Sequence, residues 1–340
     1  MTQSPPMTDS PKIPVQYRDA LRELDGVPVL QLVRAPTLIE EMSRLRSALG
    51  GGPRLFVKRD DAIPFGFGGN KVRKLQMVAA AAMSEAADTL VTVGGVQSNH
   101  ARATAAVAAK LGMRCLIIAN GKAPERVTAN ALLDQLLGAD VEYIASREER
   151  APALAAAMTR LRRDGRKPYA IPLGASTPLG ALGFVRGVGE MLQQIAPPTM
   201  IVHAASSGGT QAGLVAGCAL YGLATRVIGV SADDPAADVA SKARDIVRGV
   251  GELLGMDGEA LASVHAVEVD DQQVGDGYGI PSDASREAQR LAARNEALFV
   301  DHTYTAKALA SLIARVREGQ LRDDETILFW HTGGQVGLFA

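Results

Sequence analysis

Short apolar segments alternate with longer amphipathic segments along almost the whole chain, and this alternation limits the folds that the sequence can adopt. The short segments are rich in Val, Ile and Leu, as buried strands are, whereas the longer ones show the apolar spacing of helices. Apolar strands separated by helices predict parallel sheets covered on both faces, and thus the α/β class. The predicted strands are residues 55–57, 89–93, 114–119, 141–144, 169–171, 200–202, 227–230 and 326–330, with an extended segment at 264–269. The predicted helices are residues 38–49, 71–82, 100–111, 128–137, 148–163, 179–195, 211–220, 235–254, 282–295 and 305–318.

A glycine-rich loop and a lysine follow the first of these strands. Gly68 and Gly69 precede Asn70, a favourable helix N-cap, and an apolar stripe with helical spacing follows. Lys71 is therefore predicted in the first turn of a helix, where the helix N-terminus and the nearby Lys74 both disfavour an ammonium ion. The neutral amine is the form that attacks a carbonyl, so Lys71 is a candidate for covalent chemistry. For an isolated lysine, a side chain that merely reaches solvent would be the better interpretation.

The loops after the other strands are the next place to search, because ligands of open α/β sheets bind beyond the carboxyl ends of the strands. Ser206-Ser207-Gly208-Gly209-Thr210 follows the 200–202 strand and offers backbone N–H groups, hydroxyls and a helix N-terminus, which together form a phosphate cup. An ordinary strand-to-helix turn with a Ser or Thr cap has the same composition. The loop matches neither a P-loop nor the GxGxxG pattern of dinucleotide sites, which argues against a Rossmann-type dehydrogenase.

Further loops carry polar groups that suit a binding site. They are Gln97-Ser98-Asn99-His100 after the 89–93 strand, the glycine-rich loop around Tyr278, the segment around Tyr304, and His331-Thr332-Gly333-Gly334 after the last strand. Each has a purely structural alternative, since Ser98 or Asn99 caps helices well and a tyrosine is more often a core or rim residue.

Taken together, these segments resemble the D-cysteine desulfhydrase/1-aminocyclopropane-1-carboxylate (ACC) deaminase family, whose members use pyridoxal phosphate (PLP). The resemblance runs from about Val29 to the C-terminus and begins with Lys58-Arg59-Asp60-Asp61 and the segment 68–75. It implies the tryptophan-synthase-β fold, known as fold type II, with two three-layer α/β domains, mostly parallel sheets and the active site in the cleft between them. It also implies that a small domain, residues 86–186, is inserted into a large PLP-binding domain, residues 1–85 and 187–340.

The resemblance implies roles for individual residues as well. Lys71 would hold PLP covalently and later remove the Cα proton, Asn99 would bond the ring hydroxyl, and Thr332 would approach the ring nitrogen. The phosphate would lie on Ser207, Gly208, Gly209 and Thr210, although Ser206 stands where the family usually has glycine. The substrate would contact Gln97, Ser98, Asn99, His100, Tyr278 and Tyr304, and of these Ser98, Tyr278 and Tyr304 would also take part in catalysis.

Two threonines bear on the choice of reaction. In this family, ACC deaminases have Glu after the second tyrosine and Leu before the final glycine pair, whereas this chain has Thr305 and Thr332, as D-cysteine desulfhydrases and L-cysteate sulfo-lyases do. A neutral hydroxyl leaves the ring nitrogen largely unprotonated, which makes the cofactor a milder electron sink. The resemblance therefore implies α,β-elimination, from D-cysteine first and L-cysteate second. ACC deamination and non-catalytic PLP binding are the remaining alternatives.

Composition and charge argue against other classes of function. The 36 basic and 37 acidic residues of the 340-residue chain nearly cancel, so nothing electrostatic favours a nucleic-acid or membrane-surface partner. Cys115 and Cys218 lie in apolar segments and are interpreted as buried thiols, and no Cys/His cluster has metal-ligand spacing. No apolar run approaches the ~20 residues of a membrane span, and the N-terminus lacks the pattern of a secretory signal. We expect a cytoplasmic homodimer that uses PLP, needs no metal and acts on a small amino acid.

Overall fold

Two sheets, one of six strands and one of four, organise the computed structural model, which describes residues 13–340. The strands are β1 (Ile39–Glu41), β2 (Arg54–Arg59), β3 (Thr89–Gly95), β4 (Arg114–Asn120), β5 (Asp140–Ile144), β6 (Pro168–Ile171), β7 (Met200–Ala205), β8 (Arg226–Ser231), β9 (Glu268–Asp270) and β10 (Thr326–His331). The α-helices are α1 (Arg18–Gly26), α2 (Ser43–Ala48), α3 (Asn70–Ser84), α4 (Asn99–Leu111), α5 (Ala129–Leu136), α6 (Arg150–Arg163), α7 (Pro178–Leu192), α8 (Gly209–Leu220), α9 (Ala236–Leu253), α10 (Gly258–Val264), α11 (Asp283–Glu296) and α12 (Thr305–Arg317).

Both sheets are almost entirely parallel. The larger sheet has the order β1-β2-β10-β7-β8-β9, and only its edge strand β1 runs antiparallel to its neighbour. The smaller sheet has the order β5-β4-β3-β6 and is parallel throughout. The predicted α/β class with mostly parallel sheets is thus confirmed. Because the carboxyl ends of parallel strands point the same way, the loops that follow them gather at one edge of each sheet.

All four strands of the smaller sheet lie between β2 and β7 in the sequence, as an inserted unit requires. The boundaries at residues 86 and 186 stay a prediction, and the second of them falls inside α7. That helix packs against α3 and α8. Its residues Phe184 and Val188 also belong to the same buried core as Trp330 of β10, so α7 packs with the larger sheet.

Three segments differ from the expected secondary structure. Residues 38–49, predicted as one helix, form β1 and α2, because β1 pairs with β2 along three residues and this pairing outweighs the local helical spacing. Helix α10 and the later, shorter β9 replace an extended segment predicted over residues 264–269. Helix α1 was not predicted at all, although Ala20 and Leu24 form its buried i, i+4 face.

The described part of the chain contains no helix with the length and apolar character needed to cross a bilayer. Within residues 13–340, no group of three or more His, Cys, Asp or Glu side chains is arranged to hold a metal ion. Cys115 and Cys218 are buried free thiols, as predicted, and burial raises the pKa of each to about 12.

Candidate active site

A cavity of about 280 Å³ lies where the loops after the strands of both sheets meet. Its wall includes residues from the segments that follow β2, β3, β7, β8 and β10, which is where ligands bind in open α/β sheets. Most of the residues predicted for the site line this one cavity. They are Lys71, Ser98, Asn99, His100, Ser207, Gly208, Thr210, Tyr278, Tyr304 and Thr332.

Two glycine loops approach each other closely at the start of α3. Gly69 has φ 96°, and a Cβ there would lie 3.0 Å from the carbonyl oxygen of Thr332. A Cβ on Gly333 would lie only 2.6 Å from the Cα of Gly69. Larger residues would force the loops apart, so these glycines fix the position of the lysine helix against the loop after β10.

Asn70 does not act as the N-cap that the sequence predicts. The helix begins at Asn70 itself, with Gly69 before it and no side-chain cap. The side-chain amide of Asn70 donates instead to Thr210 Oγ1 at 2.9 Å, and its backbone N–H donates to the carbonyl of Thr332 at 3.0 Å. Asn70 therefore ties the lysine helix to two of the other predicted site loops, a long-range role that a local capping rule does not anticipate.

Lys71 lies in the first turn of α3, as predicted, and its Nζ donates to Asn70 Oδ1 at 3.1 Å. Its pKa is lowered to about 8, first by burial and then by the charge of Arg102, while Asp301 acts in the opposite direction. The direction agrees with the prediction, but the cause is different. Repulsion between Lys71 and Lys74 lowers the pKa of Lys74 rather than that of Lys71. The nucleophilic neutral amine is therefore much more populated near neutral pH than in an ordinary lysine.

The predicted phosphate loop connects β7 to α8, which begins at Gly209, two residues earlier than expected. The N–H groups of the first turn of a helix have no partner within the helix, and here the first turn includes Gly209 and Thr210. A Cβ on Gly209 would lie 2.7 Å from Ser176 Oγ, so this neighbour leaves room for glycine alone. Ser206 lines the cavity together with Ser207, so the serine that departs from the family pattern faces the site.

Ser176 and Lys74 complete this cup from the other side, and neither was predicted as a site residue. Ser176 Oγ lies 2.7 Å from Ser207 Oγ and 3.3 Å from the N–H of Gly209. Lys74 Nζ, only 1% exposed, donates to Ser176 Oγ at 3.2 Å. Burial, followed by the charge of Lys71, lowers the pKa of Lys74 well below its usual value. A buried amine, a serine hydroxyl and backbone N–H groups at one place can together bind the negative charge of a phosphate group.

Ser98 is the N-cap of α4 and accepts hydrogen bonds from the N–H groups of His100 and Ala101 at 3.2 Å. Asn99 Oδ1 accepts from Asn130 Nδ2 at 2.9 Å, which orients the Asn99 amide at the cavity wall. His100 is buried and lies 2.8 Å from Thr92 Oγ1 through Nε2. Burial, followed by the charges of Lys71 and Lys74, lowers the pKa of His100, so its imidazole is neutral at pH 7.

Gln97 is the one predicted substrate residue that does not line the main cavity. Its side-chain amide donates to the carbonyl of Thr128 at 3.2 Å and accepts from the N–H of Asn130 at 2.9 Å, which anchors the loop after β3 to the start of α5. Gln97 lines a neighbouring depression together with Asn99, Tyr278 and Tyr304. Its contact with substrate stays a prediction.

Tyr278 and Tyr304 come together at the cavity wall although 26 residues separate them in sequence. Their hydroxyl groups share a hydrogen bond, and burial is the main cause that raises the pKa of both phenols. Both are therefore neutral at pH 7 and able to donate a proton.

Of Thr305 and Thr332, only Thr332 lines the cavity. Thr332, 7% exposed, lies in the loop after β10 and is part of the wall. Thr305 is fully buried, and its hydroxyl donates to Asp301 Oδ1 at 2.7 Å. Thr305 therefore acts locally, with Asp301, at the start of α12.

Two arginines, Arg147 before α6 and Arg150 at its first position, also line the cavity, and neither is a predicted site residue. Arg147 pairs with Asp233, and its guanidinium lies 5.1 Å from the centroid of the Tyr278 ring. Arg150 Nε donates to Asn120 Oδ1 at 2.9 Å, a neutral partner. The sequence carries one usable signal for them, since cations at a helix N-terminus oppose the helix dipole.

Known proteins resemble this chain in both sequence and fold. Residues 30–333 match the family described as "Pyridoxal-phosphate dependent enzyme". A D-cysteine desulfhydrase from Salmonella typhi is 38% identical over 328 residues, which make up 94% of this chain and 98% of that protein. A crystal structure described as that of an ACC deaminase homologue has a TM-score of 0.87 and 34% identity, and the match covers 95% of this chain and 96% of the other. A threonine deaminase from Solanum lycopersicum, with a TM-score of 0.64 and 18% identity over 98% and 92% of the two chains, shares the fold alone. The predicted fold is thereby confirmed.

Proposed function

The chain belongs to the family of pyridoxal-phosphate-dependent enzymes, and on that basis we propose that it is a lyase that removes the β-substituent of a small amino acid. The first candidate substrate is D-cysteine, which would give pyruvate, ammonia and sulfide. Similarity to the Salmonella typhi D-cysteine desulfhydrase supports this choice. The observation that carries the proposal is the convergence of Lys71, with its lowered pKa, the glycine loop and two neutral phenols on one cavity.

The residues around the cavity fit PLP in charge and in shape. Lys71 would bind it covalently, and the loop from Ser207 to Thr210 would hold its phosphate, with the buried Lys74 close to the negative charge. Glycine at position 209 allows the start of α8 to lie against Ser176, because a Cβ there would be only 2.7 Å from Ser176 Oγ. Asn99 would bond the ring hydroxyl and Thr332 would face the ring nitrogen.

Bound PLP supplies an electron sink for the carbanion at Cα. The protein's own part is to bind the amino acid, remove its Cα proton and assist the leaving group. The Lys71 amine takes the Cα proton, which a base with a pKa of about 8 does efficiently near neutral pH. The Cβ–S bond then breaks, sulfur leaves with the electron pair, and Tyr278 or Tyr304 donates a proton to it. Water hydrolyses the remaining unsaturated amine to pyruvate and ammonia.

Thr332 supports elimination over the opening of the ACC ring. A hydroxyl cannot keep the ring nitrogen protonated as a carboxylate does, so a long-lived carbanion is poorly stabilised, while rapid loss of a good leaving group needs little stabilisation. Thr305 adds less to this argument than the sequence suggests, because its side chain faces Asp301. A glutamate at position 305 would bury a second carboxylate beside Asp301.

Arg150 favours L-cysteate as the second candidate. Its pKa is lowered by burial and then by the charge of Arg147, which means that the protein holds this cation at an electrostatic cost. Asp233 neutralises Arg147, whereas the partner of Arg150 is the neutral amide of Asn120. A sulfonate on Cβ would supply the missing negative charge.

Two further properties belong to the same proposal. We propose that residues 86–186 form a small domain within a large domain made of residues 1–85 and 187–340. We also propose that the protein is a cytoplasmic homodimer, which size measurement in solution together with cell fractionation would test.

A panel of substrates tests the proposed function. D-cysteine, L-cysteate, β-chloroalanine and ACC are supplied separately to the PLP-loaded protein and to Lys71→Ala, and both pyruvate and 2-oxobutyrate are measured. We expect pyruvate from a β-substituted alanine, little 2-oxobutyrate from ACC, and neither product from the variant. Arg150→Gln should lower kcat/KM for L-cysteate more than for D-cysteine. Efficient turnover of ACC would contradict the proposal, and PLP binding without turnover of any substrate would favour the non-catalytic alternative.

A further inference from the structure

Lys307 is a fully buried lysine on α12, outside the cavity wall, and the proposed chemistry does not use it. A lysine ammonium has three N–H donors. Here Nζ donates to the carbonyl oxygens of Val274 at 2.7 Å, Gly277 at 2.8 Å and Ala232 at 3.2 Å. Every donor is therefore used on backbone carbonyls, and the ammonium joins two loops that are distant in sequence.

Each of these loops carries a residue of the cavity wall directly after a bonded carbonyl. Gly277 precedes Tyr278, and Ala232 precedes Asp233. Tyr278 and Asp233 in turn contact the same guanidinium, that of Arg147. The Lys307 ammonium therefore bonds the backbone directly before each of the two residues that contact Arg147.

The loop that carries Tyr278 has little other means of holding its shape. Gly275, Gly277 and Gly279 all have positive φ, a conformation that glycine adopts freely and also leaves freely. Its internal backbone hydrogen bonds are long, at 3.2 Å from Val274, 3.4 Å from Gly277 and 3.3 Å from Ile280. The bonds from Lys307 to this loop are shorter and charge-assisted, and such bonds are stronger than neutral ones.

Lys307 also lies close in sequence to Tyr304, the hydrogen-bond partner of Tyr278. Tyr304 is the residue directly before α12, and Lys307 lies in the first turn of that helix. The Tyr304 hydroxyl bonds the hydroxyl of Tyr278, while Lys307 bonds the backbone just before Tyr278. The side chain of Tyr278 and the backbone before it are therefore both held from residues 304–307.

We propose that Lys307 is a positioning residue whose buried ammonium fixes Tyr278 and Asp233 at the cavity wall through three backbone carbonyls. The proposal rests on the proposed function in so far as Tyr278 acts in elimination. The fixation of the loop itself is independent of the reaction.

Hydrogen exchange of the PLP-loaded protein tests the fixation without reference to activity. In the unmodified protein the peptide covering residues 271–281 should be protected, and exchange as fast as that of an unstructured peptide would overturn the proposal at once. Lys307→Met keeps most of the apolar side-chain volume and removes the ammonium group. It should speed exchange in this peptide by about tenfold or more, the equivalent of one hydrogen bond to a charged group. Lys110→Met, on the exposed end of α4, is the matched control and should change nothing there.

Chemical rescue distinguishes the effect of the Lys307 charge on the loop from the effect of its side-chain packing. Lys307→Ala leaves a space of the shape of n-propylammonium, and adding that ion should restore both the protection of residues 271–281 and kcat. Neutral 1-propanol at the same concentration should restore neither.

Equal rescue by propanol, or unchanged exchange in a folded Lys307→Met, would overturn the proposal. Should Lys307→Met fail to fold, rescue of Lys307→Ala decides, and absence of rescue by the ion counts against the proposal. If no substrate yields pyruvate, the exchange results still stand, so the two failures are distinguishable.

Discussion

The hydroxyl groups of Tyr278 and Tyr304 share a hydrogen bond, and their rings meet edge to face with centroids 5.7 Å apart. The two residues come from separate loops, and each resembles a family tyrosine by its own short motif. Their contact makes them one functional unit, because a proton given up by one phenol can be replaced from the other.

Tyr278→Phe removes one hydroxyl of this pair and should lower kcat for pyruvate formation by about 10²-fold, a typical loss for general acid–base catalysis. Tyr143→Phe, on β5 and 43% exposed, is the matched control and should leave kcat unchanged. Circular dichroism checks that both variants keep the fold. If kcat of Tyr278→Phe were normal, Tyr278 would not be a catalytic residue.

Thr210→Ala should weaken PLP binding by about 1.5–3 kcal/mol, the range for a hydrogen bond to a charged group. Equilibrium titration with PLP measures the dissociation constant. Thr210→Ser keeps the hydroxyl that accepts from Asn70 and should bind PLP nearly as tightly as the unmodified protein. Equal weakening in both variants would show that the methyl group, rather than the hydroxyl, matters.

The reactivity of Lys71 should follow its lowered pKa of about 8. Only the neutral amine is acetylated, so in the cofactor-free protein the rate of acetylation of Lys71 should rise through pH 8 and level off above it. Arg102→Met removes a positive charge that lowers this pKa and should move the midpoint to higher pH. Arg114→Met, an exposed position, should not move it. Mass spectrometry of the Lys71 peptide gives the rates, and a midpoint near 10.5 in the unmodified protein would contradict the account.

Asp60 should contribute more to stability than a surface aspartate. Its buried carboxylate accepts from Arg73 at 2.7 and 2.8 Å and from Trp330 Nε1 at 2.7 Å. Burial alone would raise its pKa, but the charge and hydrogen bonds of Arg73 outweigh burial and lower it. Asp60→Asn should reduce the free energy of unfolding by about 1.5–3 kcal/mol, the range for a hydrogen bond to a charged group, because Glu190 still pairs with the buried Arg73. Asp19→Asn breaks only the exposed pair with Arg22 and should cost less than about 1 kcal/mol in the same urea titration.

The parts of the site that the sequence predicts well are those fixed by local chain geometry. The glycine pair before Lys71 and the cap at Ser98 depend on neighbouring residues, and both are found where expected. Asn70 begins the lysine helix as expected but differs in role, because its hydrogen-bond partners come from distant segments.

The residues that the sequence misses depend on contacts between distant loops. Ser176 reaches Ser207 across 31 residues, and Arg147 reaches Asp233 across 86. Neither lies in a recognisable motif, and only the arrangement of the two sheets brings them to the cavity. Lys74 belongs to the family-like segment 68–75, yet its burial beside Ser176 follows from packing that no local pattern encodes.

We propose that Lys71 carries the cofactor. The PLP-loaded protein is reduced with borohydride, digested and mapped by mass spectrometry, with Lys71→Ala treated in parallel. We expect the pyridoxyl group on the peptide that contains Lys71 and on no lysine of the variant, whose bound chromophore should also be lost. A pyridoxyl group on Lys58 or Lys74 of the unmodified protein, with Lys71 free, would contradict the account.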